Sequence, residues 1–206
     1  MSNRTVTTFA VGYLQTNCYV ISDGKVAVVV DPGGSGEKIL GFIERSGFQG
    51  RAVLLTHGHF DHIMALSDFS KAGYEVCIHC ADEKMLRNEG NLSDMVGLGA
   101  LPVVTPTRCF SDGESLRFGD MVFSVIHTPG HTPGSSCFDL DGEYLFSGDT
   151  LFCHSHGRTD FPGGSESDML SSLRRLFALP GDRTVYCGHG PSTTLADERA
   201  FFSCLL

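Results

Sequence analysis

The chain has 206 residues, 41% of them hydrophobic, and a formal net charge of −9. This length suits a single domain, expected over residues 1–206, that buries most of the surface its unfolded chain exposes. The acidic balance argues against nucleic acid as a partner, because phosphate binding needs a basic footprint, and no apolar run approaches the ~20 residues of a membrane span.

In chain order, residues 6–11, 17–22 and 26–30 read as short strands joined by turns, and Asp31-Pro32-Gly33-Gly34 closes the third. Ile39, Leu40, Phe42 and Ile43 give helical spacing to a segment over 35–46, ended by Gly47. A buried strand at 52–55 leads into a polar stretch, and a helix is predicted from 63 to 71. A strand over 75–79 and a short helix over 82–87 follow. Residues 88–107 are loop-rich and are a candidate wall of an active-site cleft. The second half repeats the order, with strands near 109–110, 115–117, 121–126, 136–139, 144–146 and 184–187. Its helix over 166–177 places Leu170, Leu173, Leu176 and Phe177 on one core-facing side.

Met1–Ala10 has no apolar core and a single Arg, so it does not read as a secretory signal. Eight Cys in a chain this long do not make a disulfide scaffold. Cys18, Cys77, Cys137 and Cys187 lie in strand-like runs and are expected to be buried free thiols, reduced in the cytoplasm. Cys77-Ile78-His79-Cys80 has C-x-x-C spacing, but no second pair follows at zinc-finger spacing, so no separate structural zinc is expected there.

The chemistry gathers after the strand at 52–55, in Thr56-His57-Gly58-His59-Phe60-Asp61-His62. Packing gives no reason to crowd four side chains of metal-ligand type onto one loop. One metal could not easily take all four, whereas two neighbouring metals could share them. Three more ligand-type residues follow strand-like runs: His131 in Thr128-Pro129-Gly130-His131, Asp149 after Phe146-Ser147-Gly148, and His189 after Tyr186-Cys187-Gly188. A glycine precedes each, letting the backbone pass close to a site. Neutral imidazoles and carboxylates suit zinc, iron or manganese.

These motifs, with Thr132-Pro133-Gly134-Ser135, Thr150-Leu151-Phe152 and Gly157-Arg158-Thr159-Asp160-Phe161-Pro162-Gly163-Gly164, resemble the metallo-β-lactamase-fold hydrolases of the glyoxalase II (hydroxyacylglutathione hydrolase) type, in its short bacterial branch. The likeness runs from about Phe9 to about Arg199. It implies an α/β (α+β) four-layer αββα fold, with two mixed β-sheets sandwiched between helices. It implies two divalent metals per chain, zinc before iron or manganese. One would be held by His57, His59 and His131, the other by Asp61, His62 and His189, with Asp149 bridging. A hydroxide between the metals would attack the acyl carbon of a thioester such as S-D-lactoylglutathione, and Asp61 would orient it. Catalysis is thus expected to depend on Asp61 and His131.

Substrate recognition is less constrained. The resemblance assigns Arg158 to the glutathione tail, since Arg grips carboxylates in a bidentate fashion; equally, Arg158 can brace its own loop by pairing with Asp160 or Glu166. The helical segment with basic glutathione contacts found in the long enzymes is absent before Leu206, which points to weaker glutathione binding or another thioester. His154 and His156 stand where the branch has small or apolar residues; they read as loop residues near the mouth, or as extra metal or proton-transfer groups. Phe201, Phe202 and Leu205 are expected to tuck back as a short helix or to form a subunit contact, in a monomer or weak homo-oligomer. Rival activities on the same fold are a mononuclear iron persulfide dioxygenase using His57, His131 and Asp149, and a lactonase or β-lactamase. A metal-binding protein without turnover is the rival from another class.

Overall fold

The computed structural model describes residues 4–203. One sheet holds β1 (Thr5–Val11), β2 (Thr16–Ser22), β3 (Val26–Val30), β4 (Gln49–Leu54), β5 (Glu75–His79) and β6 (Arg108–Phe110) in that order. Its first three strands are antiparallel and its last four run parallel. The second sheet is built from β7 (Ser115–Phe118), β8 (Met121–His127), β9 (Ser136–Leu140), β10 (Tyr144–Gly148), β13 (Thr184–Cys187) and β14 (Thr193–Thr194). It is mixed too, because β10 and β13 pair in parallel. A small hairpin, β11 (Leu151–Phe152) with β12 (Ser155–His156), stands apart.

The strand β3 shows how the layers arise. Side chains alternate across a strand, so Val26, Val28 and Val30 face one way and Ala27 and Val29 the other. The first set joins Phe110, Phe123, Phe138 and Phe146 in the core between the sheets. The second packs with Ile39, Ile43 and Phe69 from the outer helices α1 (Gly36–Arg45) and α3 (Leu66–Lys71). On the far side, α4 (Glu166–Phe177) and α5 (Leu195–Phe202) cover the second sheet through Met169, Leu173, Leu176 and Phe202. This is the expected four-layer αββα arrangement.

Some boundaries differ from the sequence expectation. The three-residue β6 belongs to the first sheet, since Cys109 pairs with Ile78, so the halves divide after Phe110. The helix expected at 63–71 begins earlier, with α2 (Phe60–Ile63), and is interrupted where the Ala65 N–H donates to the Pro32 carbonyl. Asp61 and His62 therefore sit in a helical turn. In α4, Met169 rather than Leu170 is the fully buried residue. The C-terminal segment tucks back as a helix only in part: Thr194 caps α5 and Phe202 is buried, Phe201 stays exposed, and Leu205 lies outside the described residues.

Candidate metal centre

Each predicted ligand sits just beyond the C-terminal end of a strand, where the sheet fixes the loop and leaves its tip open. His57 and His59 follow β4, with Asp61 and His62 in α2; His131 follows β8, Asp149 follows β10 and His189 follows β13. The structure brings all seven together. His57, His59 and His131 place ligand atoms within 4.8 Å of one another, as do Asp61, His62 and His189. Asp149 lies between the trios. Its Oδ1 is 3.4 Å from His62 Nε2, and its Oδ2 is 3.6 Å from both His131 Nε2 and His189 Nε2.

The donor atoms fit a cation better than they fit each other. Among the described residues, His57 Nε2, His62 Nε2 and Asp149 Oδ1 are buried without a hydrogen bond, a costly state unless something else satisfies them. His59 Nδ1 lies only 2.8 Å from His131 Nε2. Burial, and then the surrounding imidazoles, push His57 well below the ordinary histidine value, and burial with His131 takes His59 down to about 3. Both are thus neutral and able to ligate. Burial opposes charge on Asp61 as well, but His62, His189 and the Thr16 hydroxyl outweigh it and hold the carboxyl below its usual range. Burial disfavours charge on His62, yet Asp61, Asp149 and Asp31 raise it well above the ordinary histidine value.

Close packing shapes the loops. Gly148 has a left-handed φ of 50°, which a side chain rarely adopts. A Cβ on Gly188 would collide with Asp149 Oδ1. Two buried carboxylates not foreseen as part of the site hold these loops in place. Asp31 accepts from the Thr56 N–H at 2.8 Å and the Thr56 hydroxyl at 2.6 Å, and its Oδ2 lies 2.9 Å from His62 Nδ1. That last bond directs His62 Nε2 into the centre. Asp82 accepts from the Thr132 hydroxyl and the Gly134 N–H, both at 2.7 Å, and from the Gly58 N–H at 3.3 Å, tying the His131 loop to the His57 loop. Thr16 donates to Asp61 at 2.8 Å, and Asn17 donates to the carbonyls of Cys187 and Gly190 on either side of His189.

His59, Asp61, His131, Asp149 and His189 line an open cavity of about 500 Å³, and Leu92, Met95 and Val96 form part of its wall, as expected of the loop-rich 88–107. Arg158 lines it too, but its guanidinium is already engaged. It donates two 2.7 Å bonds to Asp160 and lies 3.9 Å over the Phe161 ring. The loop-bracing alternative is thus the arrangement observed. His154 and His156 do not line the cavity; His154 stacks on Phe201 and His156 Nδ1 lies 2.9 Å from the Gly157 carbonyl. His154 does fall in a separate trio with Cys153 and Glu198, whose carboxylate already accepts from the His154 N–H and the Thr193 hydroxyl. Cys18, Cys77, Cys137 and Cys187 are buried free thiols. Cys77 points into the core while Cys80 is exposed, so the C-x-x-C pair does not converge. No helix among the described residues is long and apolar enough to cross a membrane.

Comparison with known proteins agrees with this geometry. Residues 11–189 match the model of the metallo-beta-lactamase superfamily. The hydroxyacylglutathione hydrolase GloC of Haemophilus influenzae is 36% identical, with 90% of each chain covered. Among solved structures, the BLEG-1 B3 metallo-beta-lactamase superposes with a TM-score of 0.86 at 36% identity, covering 95% of this chain and 97% of that one. TTHA1623, in a di-iron-bound form, gives 0.84 at 38% identity, covering 94% and 96%. The chain belongs to the metallo-beta-lactamase superfamily. Within it, the chain is a metal-dependent hydrolase.

Proposed function

We propose that this chain hydrolyses a small-molecule thioester, with S-(2-hydroxyacyl)glutathione, such as S-D-lactoylglutathione, as the substrate type suggested by the GloC relative. The observation that carries the reading is the pair of three-residue donor sets with Asp149 lying between them beside one open cavity. His57, His59 and His131 would hold one divalent ion and Asp61, His62 and His189 the other, with Asp149 common to both. Zinc suits these donors, and so does iron, which the neighbour TTHA1623 holds. When bound, such ions supply Lewis acidity and make water acidic enough to react near neutral pH.

The chain's own groups do the rest. The Thr16 hydroxyl fixes one of the Asp61 oxygens, so the carboxylate can orient a water molecule for attack. Asp31 and Asp82 keep the ligand loops from relaxing as charge develops. A thiolate departs without a strong acid, so the site needs no dedicated proton donor.

The test is metal content and hydrolysis of S-D-lactoylglutathione by protein purified without added metal, alongside Asp61→Ala and His131→Ala. Close to two metals per chain, chelator-sensitive turnover, and loss of turnover in both variants with unchanged circular dichroism are expected. Near-wild-type turnover in either variant would overturn the assignment. One iron per chain with oxygen uptake on a persulfide, and no hydrolysis, would replace it with a dioxygenase using His57, His131 and Asp149.

A further inference from the structure

Exposed apolar side chains are not scattered over this molecule. Eight large hydrophobic residues are exposed among the described residues. Six of them, Tyr13, Leu14, Met64, Met95, Val96 and Leu98, line the metal-centre cavity or a second cavity of about 350 Å³. The two cavities share Leu14, Phe60, Asp61 and Val96, so the second opens directly off the centre. Tyr13 is 98% exposed and Met95 67%. Single exposed hydrophobics need no explanation, but a contiguous set beside a site marks a surface that something covers.

The strip is held in place relative to the donors. Leu14 lies in the turn between β1 and β2, and its carbonyl is 3.2 Å from His189 Nδ1. Met95, Val96 and Leu98 lie on a tight turn whose Leu98 N–H donates back to the Ser93 carbonyl. Just before it, the Asn91 carbonyl accepts from the N–H of Phe60, the first residue of the ligand helix α2, and the Asn91 side chain is buried and bonded to Met85 and Asn88. The apolar path therefore starts at a fixed distance from the centre. It offers little to an anionic tail. Among the described residues, Arg158 is the only Lys or Arg lining either cavity, and Asp160 already pairs with it.

We propose that this strip is a binding subsite for an unbranched apolar arm of the substrate, running from the scissile carbonyl past Leu14 and Val96 to Leu98. This rests on the thioester reading for where the carbonyl sits, and it adds a substrate feature to that reading: a medium-length apolar arm beside the scissile carbonyl. The arm belongs to the acyl group or to the thiol, and the chemistry of recognition is the same for both.

Calorimetric binding of hydroxamic acids to the metal-loaded protein reads the subsite without turnover. One series lengthens the chain on the carbonyl carbon; the other lengthens it on the nitrogen of acetohydroxamic acid, where a leaving group would lie. Affinity should rise on the order of threefold per added methylene in one series, which also tells the two sources apart. Val96→Asp and Leu98→Asp should flatten that rise, and Val103→Asp, an exposed apolar residue outside both cavities, should leave it intact. Flat affinities in both series, or a rise untouched by Val96→Asp and Leu98→Asp, would overturn the subsite. A clear rise with no turnover of any thioester would keep the subsite and discard the thioester reading.

Discussion

Asp31 and His62 are joined by a 2.9 Å contact between two almost wholly buried side chains, and that contact sets which nitrogen of His62 faces the centre. The carboxylate accepts a hydrogen bond from Nδ1–H and leaves Nε2 facing the donors of the centre. Partners of this kind raise ligand basicity and fix ring orientation.

Asp31→Asn keeps the size of the side chain but replaces the carboxylate by an amide. Metal affinity should fall by roughly 10- to 100-fold, with a smaller change in the folded secondary structure. Titration with a competing chelator, followed by metal analysis, measures this. Affinity within twofold of wild type would mean that the ring is oriented by packing alone.

Arg158 and Asp160 make a second testable pair, exposed and bidentate. Asp160→Ala frees the guanidinium for an anionic substrate tail. KM for S-D-lactoylglutathione should then drop by roughly two- to fivefold, the worth of one exposed ion pair, with kcat little changed. If KM stays put or rises, Arg158 does not reach the substrate even when released.

Acid should weaken the metal-free protein in a defined window. Burial lowers His57 well below its ordinary value, His59 to about 3 and His79 to about 4. His79 Nδ1 also accepts from the Ala81 N–H, so its neutral form is built into the fold. As pH falls from about 6.5, these histidines take protons in the unfolded chain while the native state refuses them, and stability drops. His62 and His189 have raised values, so their contribution is already complete below about 6.5 and offsets nothing in the window. Asp82, raised by burial, works the other way, but as one group against three. Denaturant midpoints of chelated protein should therefore fall steadily between pH 6.5 and about 4, and less steeply in His79→Gln. A midpoint constant over that range would contradict this account.

The donor residues were readable because a compact motif and three strand-end positions announce themselves locally. Asp31 and Asp82 were not. In sequence Asp31 is a turn residue before Pro-Gly-Gly, and Asp82 an acid in a short helix. Their roles come from bonds spanning 25 residues to Thr56 and 50 residues to Thr132. The one local hint at Asp31 was a carboxylate ending a wholly apolar strand, which has to find donors somewhere. The helix break at Ala65 has the same origin, since the Pro32 carbonyl that draws its N–H comes from a distant loop. At β6, three residues were too few to show which sheet they join. The apolar strip was invisible for another reason: Tyr13 and Val96 sit in loops without periodicity, and only folding sets them side by side.

The centre takes four donors from loops of the first sheet, His57, His59, Asp61 and His62, and three from the second, His131, Asp149 and His189. Neither half of the chain supplies a complete donor trio, since each trio takes its third member, His131 or His189, from the second half. On the proposed reading, a cation arriving early in folding would find only partial donor sets, and tight capture would wait until the sheets have docked. Occupancy would then report on completed assembly. The free energy of binding would be delivered at the seam between the sheets, so a ligand change in one loop would loosen the docking of the other half.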